Sequence, residues 1–386
     1  MRVVAVETIH ADAFPPLCYL RVHTDDGLIG LGETFWGPAA VAAHVHEALA
    51  PHLLGEDPLL IERHRQRLAL RGLRDLGAEG RALSALDLAL WDLLGQATGR
   101  PIHALLGGAV RERVRVYNTC AGYEPSDWRV GGPTEGPYED RRATFERPEE
   151  LAESLLAEGI TAMKIWPFET GEGGRSYVAH EDLARGLEPL RRIRRAVGDR
   201  IDVLLDCGRW SLPLATRIAR AVEEYRPFWL EDPLPPDEPA AWRELAASTR
   251  VPLAGGEELG GRGAFRALLE HGLQVALFDP GWVGGISEGR VVAALADAYR
   301  RPFCPHDCTG PVSFVAGVHL SISAPNAMMQ EYVRAYHAGA YRELVTELPR
   351  VEGGHVYAPT DPGLGTALRP DFVERSGAHV RVSRLS

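Results

Sequence analysis

The chain is short of cysteine, of surplus basic charge and of long apolar runs, and each shortage removes a class of protein. Five cysteines among 386 residues, an odd number without CxxC spacing, make no disulfide framework and read as reduced thiols. Lysine and arginine number 42 against 53 acidic residues, a formal charge of −11. No basic stripe is present to attract a phosphate backbone, so nucleic acid is not an expected partner. No apolar stretch approaches the roughly 20 residues that would span a bilayer, and a membrane role is not expected either. The opening MRVVAVETIH has no apolar signal core, and a cytoplasmic location is the expectation.

What the chain does have is 45% hydrophobic and 25% charged residues, the balance of a globular protein with a large core. Its length suits a barrel of typically ~250 residues with a smaller domain attached. Apolar runs at Val3–Thr8, Cys18–His23 and Leu28–Glu33, with an Asp25-Asp26-Gly27 turn, predict an antiparallel meander. Leu83, Leu86, Leu90 and Leu94 recur at helical spacing until Gly99-Arg100-Pro101 ends the run. From Val114 the texture becomes short apolar runs alternating with helical segments, the pattern of a parallel sheet. Eight strands are expected, near 114–118, 162–166, 202–206, 228–231, 253–256, 275–279, 302–305 and 328–331, which is the barrel number. The expected division is an α+β domain at 1–113, a barrel at 114–348, and a segment at 349–386 that packs back on the first domain. The long segments 119–148 and 167–180, rich in Gly and Pro, read as lids or binding loops.

Asp206, Glu231, Glu257, Asp279, His306 and Glu331 each stand at or just past the end of an expected strand, with spacings of 25, 26, 22, 27 and 25. One ionisable residue per βα unit at that end converges on one mouth of a barrel, where barrel enzymes keep their chemistry. Asp206, Glu231 and Glu257 would repel one another at a common rim unless a cation lay between them. Oxygen ligands with room for water and substrate suit Mg2+ and disfavour zinc. Asp279 and His306 can form a dyad in which the carboxylate fixes the imidazole tautomer and poises a base near neutral pH. Lys164, inside an apolar strand, is expected to face inward and meet a substrate carboxylate; a lysine snorkelling to the rim is the plainer reading. Glu331 would hydrogen-bond developing negative charge if protonated, or serve as an ion-pair partner. Cys304, His306 and Cys308 suggest a soft-metal cluster, but two prolines stiffen the stretch and no second Cys/His pair completes a tetrahedral site. Asp232 competes with Glu231 as a ligand, with strand phase favouring Glu231.

Ala85-Leu86-Asp87-Leu88-Ala89-Leu90-Trp91-Asp92-Leu93, Leu105-Leu106-Gly107-Gly108, Trp229-Leu230-Glu231-Asp232-Pro233 and Gly255-Gly256-Glu257 together resemble the mandelate racemase subgroup of the enolase superfamily, over nearly the whole chain. The resemblance implies a modified TIM barrel, (β/α)7β, under an α+β capping domain whose loops near 9–20 close over substrate, and a homo-oligomer. It implies Asp206, Glu231 and Glu257 as Mg2+ ligands, Asp279 and His306 as the general-base dyad, and Glu331 as the acid supporting an enediolate.

The departures are informative. Relatives often carry Lys-x-Lys on the second strand, the second lysine being a base opposite the histidine; here the positions read Lys164-Ile165-Trp166. Gly208 stands where a second polar group often follows the first metal ligand. With only His306 evident, racemisation is disfavoured, whereas β-elimination can use one group twice, as base and then as acid. An acid-sugar dehydratase giving a 2-keto-3-deoxy acid is the expected activity. A cycloisomerase, a racemase or epimerase with a second base such as His180, and a non-catalytic ligand-binding relative are the alternatives. Lys164, Trp166, Tyr123 and Arg209 are candidate substrate contacts, and Asp127, Trp128, Arg129, Arg175 and His180 offer further polar groups on the two long loops.

Overall fold

The computed structural model describes residues 1–69, 77–123, 135–168, 176–374 and 377–385. Three antiparallel strands open the chain, β1 (Val3–Ala11), β2 (Phe14–Thr24) and β3 (Ile29–Phe35), as the meander predicts. The helix Ala78–Thr98 packs across β3 and ends at Gly99 in the left-handed conformation. Leu83, Leu86 and Leu90 of its leucine stripe are buried and Leu94 is half-buried, as the spacing predicts.

The barrel strands follow: β4 (Arg113–Thr119), β5 (Ala162–Ile165), β6 (Asp202–Asp206), β7 (Leu230–Glu231), β8 (Leu253–Gly255), β9 (Val275–Phe278), β10 (Phe303–Pro305) and β11 (Gln330–Tyr332). Each pairs in parallel with its predecessor from β5 to β10, and β11 returns to pair with β4. A bridge between Phe303 and Ala327, with Met328 N donating to Phe303 O (3.0 Å), joins the remaining gap. Helices cover the connections between successive strands and, among the described residues, none of comparable length follows β11, the (β/α)7β arrangement.

The C-terminal segment differs from expectation in part. Its hairpin, β12 (Val351–Glu352) and β13 (His355–Tyr357), pairs antiparallel with β4 and so belongs to the barrel side. Only later does the chain reach the cap, where Leu364 N donates to Asp92 Oδ1 (2.8 Å) and β14 (Ala378–Arg384) pairs with β1. The reason is that β4 has a free flank where the sheet runs beyond the barrel, and an unpaired edge of backbone donors and acceptors recruits the next extended segment. Among the described residues no helix is long and apolar enough to cross a membrane.

Candidate active site

Side chains alternate in direction along a strand, so a residue two positions after an inward core residue also points inward, one layer nearer the mouth. The barrel interior is filled by a separate apolar cluster that includes Tyr117, Ala162, Leu204, Trp229, Leu277, Cys304 and Met329. Two residues beyond each of these stand Thr119, Lys164, Asp206, Glu231, Asp279, His306 and Glu331. Seven strands thus deliver polar groups in one phase to one layer. On β8 the inward residue is Ala254, and its phase falls on Gly256 rather than on Glu257. Gly256 has φ +109°, a left-handed conformation that glycine adopts without strain, and the chain turns there before Glu257.

Asp206, Glu231 and Glu257 each present a carboxylate oxygen, and the three atoms lie within 4.8 Å of one another. Burial is the largest influence on all three carboxyls, and repulsion from neighbouring carboxylates, Asp232 and Glu331 among them, adds to it, raising Asp206 to about 6, Glu257 to about 7 and Glu231 well above its ordinary value, against the pull of Lys164 or His306. An all-oxygen donor set whose members resist ionising side by side fits a hard divalent cation such as Mg2+.

Lys164 is buried at their centre. Its Nζ donates to Glu231 Oε1 (2.5 Å) and lies 2.8 Å from Glu331 Oε1 and 3.1 Å from Asp206 Oδ2. Burial works to discharge it, but these carboxylates outweigh burial and hold its pKa well above the usual lysine value. Glu331 also accepts from the Thr119 hydroxyl and from Asp307 N (2.9 Å). Burial works to raise Glu331, yet the Lys164 and His306 charges and the hydrogen bonds from Lys164 and Thr119 keep it below its ordinary value. The sequence allowed for a protonated Glu331; with an ammonium beside it the group is instead a carboxylate.

The dyad is formed. His306 Nδ1 donates to Asp279 Oδ2 (2.8 Å), which also accepts from the Thr309 hydroxyl (2.6 Å), while Asp279 Oδ1 accepts from Gly281 N (2.6 Å). This fixes the tautomer and turns Nε2 towards Glu257 Oε2 (3.4 Å) and Glu331 Oε2 (4.0 Å). Burial opposes the charge on His306, but the facing Glu257 and Glu331 carboxylates and the bond to Asp279 raise its pKa well above 6.5.

The remaining candidates divide. Trp166 is half-buried with its ring centroid 5.8 Å from Lys164 Nζ, so it borders the cluster. Arg209 instead serves the rim: it lies 3.2 Å from Asp232 Oδ2 and 3.4 Å from Glu257 Oε1 and donates to Glu258 Oε2 (2.5 Å). Asp232 faces Arg209 and Gly256 N (2.9 Å), bracing the turn that carries Glu257. Tyr123, a candidate substrate contact, is buried with its hydroxyl donating to Ala335 O (3.0 Å). Cys304 lies in the barrel interior, while His306, Cys308 and Glu331 offer atoms within 4.8 Å. His180 is exposed at the start of the helix His180–Val197. Asp127, Trp128, Arg129 and Arg175 lie outside the described residues. Sequence reasoning missed Thr119 and Thr309; the two-residue phase from Tyr117 would have found the first, and the second carries no strand signal.

The family model for the mandelate racemase/muconate lactonizing enzyme N-terminal domain matches residues 2–107, and the enolase C-terminal domain-like model matches residues 147–372. A D-xylonate dehydratase of Haloferax volcanii is 31% identical over 379 residues, covering 96% of this chain and 88% of that protein. A D-galactonate dehydratase of Ralstonia nicotianae is 32% identical over 377 residues, covering 94% and 91%. The crystal structure of an enolase of the mandelate racemase subgroup from Agrobacterium tumefaciens matches with a TM-score of 0.89 at 42% identity, over 100% of this chain and 99% of that one. Capping sheet, (β/α)7β barrel and family models agree over most of the chain, which belongs to the mandelate racemase/muconate lactonizing enzyme family of the enolase superfamily.

Proposed function

We propose that the chain is a magnesium-dependent acid-sugar dehydratase, acting on a polyhydroxylated carboxylate with hydroxyls on its second and third carbons. The observation that carries the reading is His306: Nδ1 is held by Asp279 while Nε2 faces the carboxylates that flank the cation pocket. A base so held can take the proton from the carbon next to a substrate carboxylate. Asp206, Glu231 and Glu257 would hold Mg2+, which would supply positive charge against the negative charge that develops on the substrate carboxylate. Lys164 adds an ammonium to the same mouth, and Thr119 and Asp307 N orient Glu331 beside it. His306, now carrying the proton, delivers it to the departing hydroxyl; the resulting enol becomes a 2-keto-3-deoxy acid.

Elimination rather than racemisation is supported by Trp166, an aromatic ring where a second base would stand on β5. The D-xylonate and D-galactonate dehydratases among the relatives support an aldonic acid as the substrate class. The test is a panel of acid sugars assayed with a 2-keto-acid reagent, with and without chelator. Turnover of at least one aldonate that disappears on chelation is the expected result. A panel giving only exchange of the α-proton with deuterated solvent would replace dehydration with isomerisation, and a panel giving neither would end the proposal.

A further inference from the structure

The dyad stands on two loops of the barrel, yet both loops are held by one strand of the cap. Glu33, on β3, is fully buried, and its Oε1 accepts from Val312 N (3.1 Å) and Ser313 N (3.0 Å). These are the first two backbone donors of the helix Pro311–Ser323, because Pro311 has none. A helix start is ordinarily capped by the residue just before it; that residue is Gly310, which has no side chain to offer, and the cap arrives from the other domain. The fit is close, since a Cβ on Gly310 would lie 2.4 Å from the Glu33 carboxyl carbon. The next residue, Thr34, donates its hydroxyl to Gly281 O (2.8 Å), and Gly281 N in turn holds Asp279 Oδ1 (2.6 Å). Thr309, adjacent to Gly310, holds Asp279 Oδ2, the oxygen that also receives His306 Nδ1. Thr34 therefore touches the loop after β9 at Gly281, which holds Asp279, and Glu33 touches the helix start at Val312, three residues after Thr309. Burial, with the Asp279 charge acting in the same direction, pushes the Glu33 carboxyl up to about 8 against the two backbone donors. A group this costly to bury is a poor choice for packing alone.

We propose that Glu33 is a positioning residue for catalysis, a cap-borne carboxyl that sets the Thr309–Ser313 turn and through it the Asp279–His306 hydrogen bond, so that seating of the cap and alignment of the base are one event. This rests on His306 acting as the base, not on which acid sugar is used.

Glu33→Ala and Gly310→Ala attack the same contact from opposite sides. Gly310 has φ 165°, extended backbone that alanine adopts freely, so the cost of Gly310→Ala comes from crowding Glu33. Each single variant is expected to lower kcat by about 10- to 100-fold, the scale of a sub-ångström to 1 Å misplacement, with KM and Mg2+ affinity little changed. The double variant, in which the new methyl enters the space the carboxyl leaves, should be no worse than either single one. Glu33→Gln, which keeps the acceptor, should recover most of kcat. Trp91→Phe is the control, because it removes another hydrogen bond between cap and barrel, Trp91 Nε1 to Ser287 Oγ (2.8 Å), away from the dyad loops; its kcat should match wild type. A readout without substrate separates this inference from the proposed reaction: the downfield Nδ1 proton resonance of His306, identified by its loss in His306→Asn, should shift or vanish in Glu33→Ala and Gly310→Ala and stay in Trp91→Phe. An unchanged resonance in the two variants, additive losses in the double variant, or an equal loss in Trp91→Phe would each overturn it.

Discussion

His319 lends itself to a quantitative test of how the cap, barrel and tail are joined. The ring lies wholly buried on the helix Pro311–Ser323. Its Nδ1 accepts from His103 N (3.2 Å) and its Nε2 donates to Leu364 O (3.1 Å), which requires the neutral tautomer with the proton on Nε2. Protonating Nδ1 would set a donor against a donor, with His103 Nδ1 also 3.2 Å away. Burial, as the first cause, together with the nearby His103, lowers the His319 pKa from 6.5 to about 3. A histidine depressed in the fold keeps its full contribution above the unfolded value, and loses it as pH falls from 6.5 towards 3, because the unfolded chain then binds a proton that the fold refuses. Between about pH 7 and about pH 5 the loss is ~2 kcal/mol. Asp87 and Asp92, raised to about 7 chiefly by burial, act with the opposite sign over the same range. The diagnostic is therefore the gap between wild type and His319→Gln, which keeps an acceptor and a donor but does not titrate. Urea unfolding followed by tryptophan fluorescence should show the variant less stable at neutral pH and the gap shrinking by ~2 kcal/mol on acidification to about pH 5. A gap that stays constant across that range would refute the reasoning.

The cation pocket predicts mass-action stabilisation: Mg2+ at about a hundredfold over its dissociation constant should add ~2.7 kcal/mol in thermal melts, and Glu257→Gln should erase most of it; a full shift in the variant would remove Glu257 from the ligand set. His306→Asn should cut turnover by about 10²- to 10⁴-fold and abolish α-proton exchange while leaving the Mg2+ shift intact; residual exchange at the wild-type rate would clear His306 of the role of base. Arg334, buried, grips Asp140 with two nitrogens at 2.7 Å and also holds Glu158. Arg334→Met strands the buried Asp140 carboxylate and should cost about 3–5 kcal/mol in urea unfolding; a loss below 1 kcal/mol, the scale of a surface ion pair, would contradict that.

How much of the site was legible depended on whether its geometry is local to a strand. Asp206, Glu231, Asp279, His306 and Glu331 could be found because a strand has period two and a barrel has one reactive mouth; phase alone assigns them to the same layer. The direction of Tyr123 could not be read because a loop has no such period, and its hydroxyl goes to Ala335, more than 200 residues along. Glu33 reaches Val312 across a sequence separation of 279, and nothing in its own neighbourhood announces the partner. The β4 hairpin partner at His355–Tyr357 was hidden for the same reason.

Lys164 shows where phase stops and electrostatics takes over. The sequence put it facing inward towards a substrate carboxylate; the side chain is buried and lies beside three carboxylates of the protein itself. Four acids, Asp206, Glu231, Glu257 and Glu331, share the mouth with one ammonium, and buried charge of that kind is tolerated only when it is compensated. An incoming acid sugar brings a further negative charge. In the proposed reaction a divalent cation held by Asp206, Glu231 and Glu257 would offset that charge, and Lys164 would add its ammonium beside it.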